Sequence, residues 1–189
     1  QRWDEAMTNY RKALDFAQKT KVKETEKVTQ TRDALAQCML VVARQQFGKN
    51  QLEECLTSAS TLIKELGTET PAALGISSLG VYAALNLYSK IPDEQKDAKE
   101  AALQRLVKVA TFVSNTWPQK PEADDARIAL GNSHLVGGRI DEALKDAEYG
   151  DVRSAAPVEL IRDVCIIARY RDAETVMGRG GAPERDRRC

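Results

Sequence analysis

The residues best suited to acid–base or metal chemistry are one histidine and two pairs of adjacent acids. His134 is the only histidine of the chain, and the acids are Asp124-Asp125 and Asp141-Glu142. A general acid–base pair needs two carboxyl groups that converge across a cleft, and a zinc site needs several ligands around one point. Acids that are adjacent at helix starts instead complement the helix dipole. We therefore predict no catalytic residue, no cofactor and no metal site; His134 as a general base or metal ligand is the alternative.

The glycines and cysteines give no enzyme signature either. Gly137-Gly138 follows no strand and precedes no GK[ST] sequence, so it predicts a turn and not a phosphate loop. With a single histidine, no serine, cysteine or lysine nucleophile has an evident base. The four cysteines form no CxxC pair, and they are Cys38, Cys55, Cys165 and Cys189. Buried free thiols are the expected state, and a disulfide, which would imply an oxidising compartment, is the alternative.

The composition is that of a folded helical protein with no preference for anionic partners. Hydrophobic residues make up 42% and charged residues 30% of 189 residues, while aromatics are only 5%. The apolar mass is therefore mostly Ala, Leu and Val, and Ala and Leu are strong helix formers. The 28 basic residues balance the 28 acidic ones, which argues against nucleic acid or an anionic membrane as the partner. No apolar run approaches the length of a membrane span.

Turn residues divide the chain into helical segments without a strand between them. Gly48–Gln51, Gly67 and Gly137-Gly138 mark turns, and Thr70-Pro71 has the residue types of an N-cap followed by the first helical residue. The pattern of helix, short turn and helix predicts an all-α protein built from αα-hairpins. About eight helices are expected, and they are 1–19, 22–47, 52–66, 71–90, 98–115, 121–136, 140–149 and 157–176.

The segment "ARIALGNSHLVGGRIDEALKDA" places small residues where a core would carry bulky ones. Leu130-Gly131 lies within one predicted helix, Gly138 at the turn and Ala143 early in the next helix. Glycine and alanine at facing positions let two antiparallel helices approach closely, and a larger side chain there would cost about 1–3 kcal/mol. This arrangement resembles the tetratricopeptide repeat, in which His134 takes the position that the family usually gives to tyrosine.

Further segments show parts of the same pattern. "RWDEAMTNYRKAL" resembles the second helix of such a repeat. A second predicted hairpin pairs Ala43 of its first helix with Cys55 and Ala59 of its second. A third has Leu79-Gly80 in its first helix and Leu106 in its second. The matching positions are Trp3, Ala6, Tyr10, Ala13, Ala43, Cys55, Ala59, Gly80 and Ala102. The four anchors Ala6, Cys55, Ala102 and Ala143 are separated by 49, 47 and 41 residues, longer than the family period of about 34.

The resemblance implies a right-handed solenoid of hairpins that binds a protein or peptide without catalysing a reaction. In that family the first helices of the repeats line a concave groove. By position, the groove residues here are Arg44, Phe47, Ser77, Val81, Ile128, Asn132 and Leu135. Two alternatives stay open: a structural spacer inside a larger protein, and a substrate-docking arm of an enzyme whose catalytic domain lies outside this sequence.

The chain is expected to hold one repeat domain and a tail. We assign 1–177 to the repeat domain, as a fragment of a longer solenoid. The tail 178–189, "GRGGAPERDRRC", has few apolar residues, among them one alanine and one cysteine. We interpret the tail as disordered and as a truncated or non-native end. The stretch "TWPQKPEADDARIALG" is similar to repeats of bacterial cell-envelope tetratricopeptide proteins, which implies that location.

Overall fold

All regular structure in the described part of the chain is helical. The computed structural model describes residues 2–20 and 25–143, and these two ranges contain no strand, which confirms the all-α class. The helices are α1 (Arg2–Lys19), α2 (Glu26–Gly48), α3 (Leu52–Leu66), α4 (Ala73–Lys90), α5 (Lys96–Thr116) and α6 (Pro121–Val136). A further helix begins at 140–143. The eighth predicted helix, 157–176, the tail 178–189 and the residues Cys165 and Cys189 lie outside the described residues.

The chain divides into two compact units, 1–129 and 130–189. Within the first unit each helix from α1 to α4 contacts the next one along the chain, and α2 also contacts α4. The connections between α2 and α3 and between α4 and α5 are only a few residues long, so the helices they join run antiparallel. In the second unit, residues 130–143 comprise the end of α6, a turn at Gly137-Gly138 and the next helix start.

The core of the first unit comes from apolar residues at helical spacing. In α3 the buried residues lie three or four positions apart or are adjacent, and in α5 the buried apolar residues are Leu103, Leu106, Ala110 and Val113. Leu62, Leu106 and Val113 are fully buried, and each such side chain stabilises the fold by about 1.5–3 kcal/mol. By contrast, α1 has no buried residue, so it contributes little to this core.

Helix α4 lies at the centre of the unit, because it contacts α2, α3 and α5. Small residues make this possible. A Cβ built on Gly80 would lie 3.4 Å from the Ala59 Cβ of α3 and 3.6 Å from the Val109 Cγ1 of α5. Gly80 is therefore the point at which α4 approaches both neighbours. Its partner in α5 is Val109, whereas Ala102, the position that the repeat pattern matches, is half-exposed nearer the turn.

The helix ends agree with the predicted turns at most positions. Gly67 follows α3 with φ +78° and Gly138 follows α6 with φ +72°, a region that favours glycine. The predicted start of α4 was wrong by two residues. Pro71 lies inside a turn closed by the Ala73 backbone N–H donating to the Thr70 carbonyl at 3.0 Å, and the helix begins at Ala73. Proline prefers the second position of such a turn as readily as the first helical position.

The remaining repeat positions differ in burial. Ala43, Cys55, Ala59, Leu130, Gly131 and Ala143 are buried. In α1, Ala6 and Tyr10 are half-buried, whereas Trp3 and Ala13, which the pattern places on the same face, are exposed. The inward face of α1 therefore continues through Leu14 and Ala17, both half-buried at helical spacing, rather than through Ala13.

Candidate functional site

The adjacent acids at the start of α6 are engaged in contacts within the fold. The buried Asp124 carboxylate accepts a hydrogen bond of 2.8 Å from the Arg127 guanidinium, one helical turn later. Asp125 is exposed and accepts a hydrogen bond of 3.0 Å from the Tyr82 hydroxyl of α4. The two carboxylates therefore have different partners and different burial, and they do not converge on one point as an acid–base pair would.

The other candidates for chemistry are in ordinary structural positions. His134 is buried within the second unit. Residues 2–20 and 25–143 contain no group of three or more His, Cys, Asp or Glu side chains placed to hold a metal ion. Gly137-Gly138 forms the predicted turn. Within the same ranges, no helix is both long enough and apolar enough to cross a bilayer.

The two cysteines of the first unit are free thiols. Cys38 of α2 and Cys55 of α3 are both buried. Burial raises the pKa of Cys38, and it raises the pKa of Cys55 to about 11, because a thiolate loses its hydration in the core. These thiols are therefore protonated and poorly nucleophilic at neutral pH, as expected of small core residues.

The predicted first-helix surface combines exposed and buried side chains. Arg44 is exposed, while Phe47 and Ile128 are half-buried. Ser77 and Val81 are each only 3% exposed. In the second unit, Asn132 is exposed and Leu135 is half-buried. In the first unit Arg44 is therefore accessible, Phe47 and Ile128 are partly accessible, and the two α4 residues lie in the interior.

The exposed residue of α4 that sequence reasoning missed is Tyr82, next to Val81. Its side chain is 41% exposed and its hydroxyl donates to Asp125. Burial and the neighbouring Asp125 carboxylate, followed by the charge of Glu122, raise the pKa of Tyr82. No local signal distinguishes Tyr82 from Tyr88, the other tyrosine of the same helix, which is only 5% exposed.

An open groove lies between α3 and α5, with α4 behind it. Its volume is about 630 Å³, within the size range of protein ligand sites. The apolar lining includes Leu56 and Ile63 from α3 and Val109 and Phe112 from α5. Ser77 of α4 contributes to the same lining. Ser77 is the single residue of the predicted binding set that this groove contains.

The polar lining of the groove has an excess of positive charge. An ion pair connects its two sides: the Arg105 Nη1 of α5 lies 2.6 Å from Glu53 Oε1 and 2.7 Å from Glu53 Oε2 of α3. Lys64 of α3 and Lys108 of α5 also line the groove. Neither lysine has an ion-pair partner in the part of the chain that the structure describes.

Two further features bear on the groove. Phe112 remains 36% exposed although its ring packs edge-on against Trp117, with ring centroids 5.8 Å apart. The Ser77 Oγ is buried and has no hydrogen-bond partner among the described residues. Buried hydroxyls are normally satisfied, so an unpaired one beside a groove is unusual. The groove therefore offers an aromatic surface and two unpaired ammonium groups, and one unsatisfied hydroxyl is buried in its wall.

Comparisons with known proteins add no relative. Protein-family models, curated proteins and solved structures all give no match to this chain.

Proposed function

We propose that this protein is a tetratricopeptide-like scaffold that binds a peptide or a segment of a partner protein and performs no chemistry of its own. The contact between α2 and α4 supports this arrangement, because first helices of successive repeats stack on one another in such solenoids. The small residue at the crossing of α4 with its neighbours, Gly80, supports it as well.

The observation that carries the proposal is the groove between α3 and α5. A monomeric domain has little reason to keep Ile63, Val109 and Phe112 together beside an open volume of about 630 Å³, since apolar surface is normally buried. Clustered apolar side chains with a few polar groups around them are typical of surfaces that bind another molecule. Both helices that form the groove pack against α4, so the groove is present without a bound partner.

A second surface also belongs to the proposal. On first helices of the predicted repeats Arg44 is exposed and Phe47 and Ile128 are partly exposed, and Tyr82 adds an exposed aromatic residue. Aromatic and arginine side chains are frequent anchors in interfaces. A partner that bound this surface would bind as the resemblance implies, whereas one bound between α3 and α5 would contact the second helices.

Affinity capture with two variants separates these surfaces. The parent chain, an Arg44→Glu variant and a Lys64→Glu plus Lys108→Glu variant would each be incubated with a lysate of the source cell, and bound proteins identified by mass spectrometry. Arg44 lies outside the groove, Lys64 and Lys108 line it, and all three are exposed, so folding should persist, which circular dichroism would check. A partner lost in one variant alone is expected; no specific partner for any of the three proteins would refute the scaffold proposal.

Helix α1 favours a second candidate, the structural spacer. It has no buried residue, and Trp3 and Phe16 are 41% and 68% exposed. Exposed apolar side chains on one helix are what a neighbouring element of a larger protein would cover. A Trp3→Glu plus Phe16→Glu variant tests this. If this variant loses an association that the parent chain makes, with partner capture through the groove unchanged, the spacer is favoured.

A further inference from the structure

We propose that the groove between α3 and α5 binds an acidic amphipathic segment of a partner protein. The apolar side chains of the bound segment would contact Ile63, Val109 and Phe112, and the carboxylates of the segment would pair with Lys64 and Lys108. This inference rests on the proposed binding function and deepens it, because it names the chemistry of the partner and a site that differs from the first-helix surface.

Charge decides which kind of partner fits. The acidic side chain of the groove lining, Glu53, already pairs with Arg105 across the groove. Lys64 and Lys108, one on each side, therefore leave two positive charges without counterions inside the described residues. A cationic segment would be repelled, and a neutral apolar one would leave both ammonium groups beside it without compensation. A segment with acidic residues flanking its apolar ones satisfies both.

The apolar lining of the groove indicates that negative charge alone is not enough for a partner to bind there. Phe112 keeps about a third of its surface exposed, and Val109 and Ile63 lie beside it in the same lining. Covering this surface would stabilise a complex through apolar burial. A simple polyanion would pair with the lysines but would leave this surface in water. The partner therefore needs both carboxylates and apolar side chains.

The unsatisfied Ser77 hydroxyl is the independent observation at this site. A buried hydroxyl without a partner is costly, and Ser77 lines the same groove. Because the Oγ has almost no exposed surface, its side chain must rotate towards the groove before a polar group of the bound segment can supply the missing hydrogen bond. Ser77→Ala should then weaken binding while leaving the free protein equally stable or more stable. A purely structural serine would show no such division between affinity and stability.

The test uses a displayed library of random peptides, selected on the whole chain. The groove variant is Lys64→Glu plus Lys108→Glu. The matched control is Lys12→Glu plus Lys49→Glu, which changes the net charge equally at exposed positions outside the groove. Selected peptides would be synthesised with a fluorophore, and their dissociation constants measured by fluorescence anisotropy. Light scattering of the same samples would report self-association.

We expect selected peptides rich in Asp or Glu beside apolar residues, and binding about tenfold or more weaker to the groove variant but unchanged for the control. Ser77→Ala should weaken binding by severalfold. Peptides without acidic bias, or bound equally by the groove variant, would overturn the inference and leave the scaffold function standing. A dimer of the parent that the groove variant loses would also overturn it, with a second copy as the occupant. If no peptide is enriched on any protein, both this inference and the proposed function fail.

Discussion

Gly80 gives the sharpest test of how closely the helices of the first unit pack. It lies inside α4 at the point where this helix approaches α3 and α5. The sequence pattern alone would predict that any added side chain there pushes the helices apart. The distances in the structure lead to a different expectation for the smallest addition, Gly80→Ala, than for a large one such as Gly80→Leu.

The magnitude follows from two opposing terms. Glycine inside a helix is about 0.8–1.0 kcal/mol less favourable than alanine. The added methyl would lie 3.4 Å from Ala59 Cβ, 3.6 Å from Val109 Cγ1 and 3.8 Å from Leu56 Cδ2, close to the optimal separation of about 3.5–4.0 Å between carbon atoms. Gly80→Ala should therefore raise the free energy of unfolding by about 0.5–1 kcal/mol. Gly80→Leu has no room for its larger side chain and should lower it by about 1–3 kcal/mol.

Urea unfolding followed by circular dichroism measures both changes. Gly75→Ala is a matched control in the same helix, since its methyl would meet only the flexible Leu40 side chain, at 3.5 Å. A clear destabilisation by Gly80→Ala with a neutral or stabilising Gly75→Ala would show that the helices are closer than these distances. A Gly80→Leu variant as stable as the parent would refute the close approach itself.

Three other changes test the core, the buried ion pair and the buried thiol. Leu106→Ala removes a fully buried side chain and should lower the free energy of unfolding by about 2–5 kcal/mol in the same urea assay; a loss below that range would mean that the site collapses. Asp124→Ala leaves the largely buried Arg127 guanidinium without its carboxylate and should cost about 3–5 kcal/mol, whereas an effect below about 1 kcal/mol would show that water screens this pair. The pKa of Cys55 is raised from 9.0 to about 11 in the folded state, so the folded protein retains its proton and stability should fall as the pH rises from about 9 towards 11; Cys55→Val should show a smaller fall, and an identical pH dependence would contradict the assigned burial.

Local information in the sequence was enough to predict the helices and most of their ends. The spacing of apolar residues predicted α1 to α6, and the glycines at 67 and 138 marked turns where the backbone adopts positive φ. These signals act within a few residues of each other, because helix periodicity and glycine's freedom at positive φ are local properties. Thr70-Pro71 shows the limit of such reasoning. Proline fixes its own φ but fits a turn and a first helical turn equally well, so local chemistry could not decide between them.

The candidate site depended on contacts that no local pattern contains. Residues from α3, α4 and α5 line the groove, and the pairing of Glu53 with Arg105 joins positions more than fifty residues apart. Whether Lys64 and Lys108 are paired depends on which helices face them. The burial of Ser77 and Val81 next to the exposed Tyr82 depends on how α4 is rotated between its neighbours. The sequence by itself determined which segments are helical and which faces are apolar, and only the packing of α4 against α2, α3 and α5 decided which side chains are left for a partner.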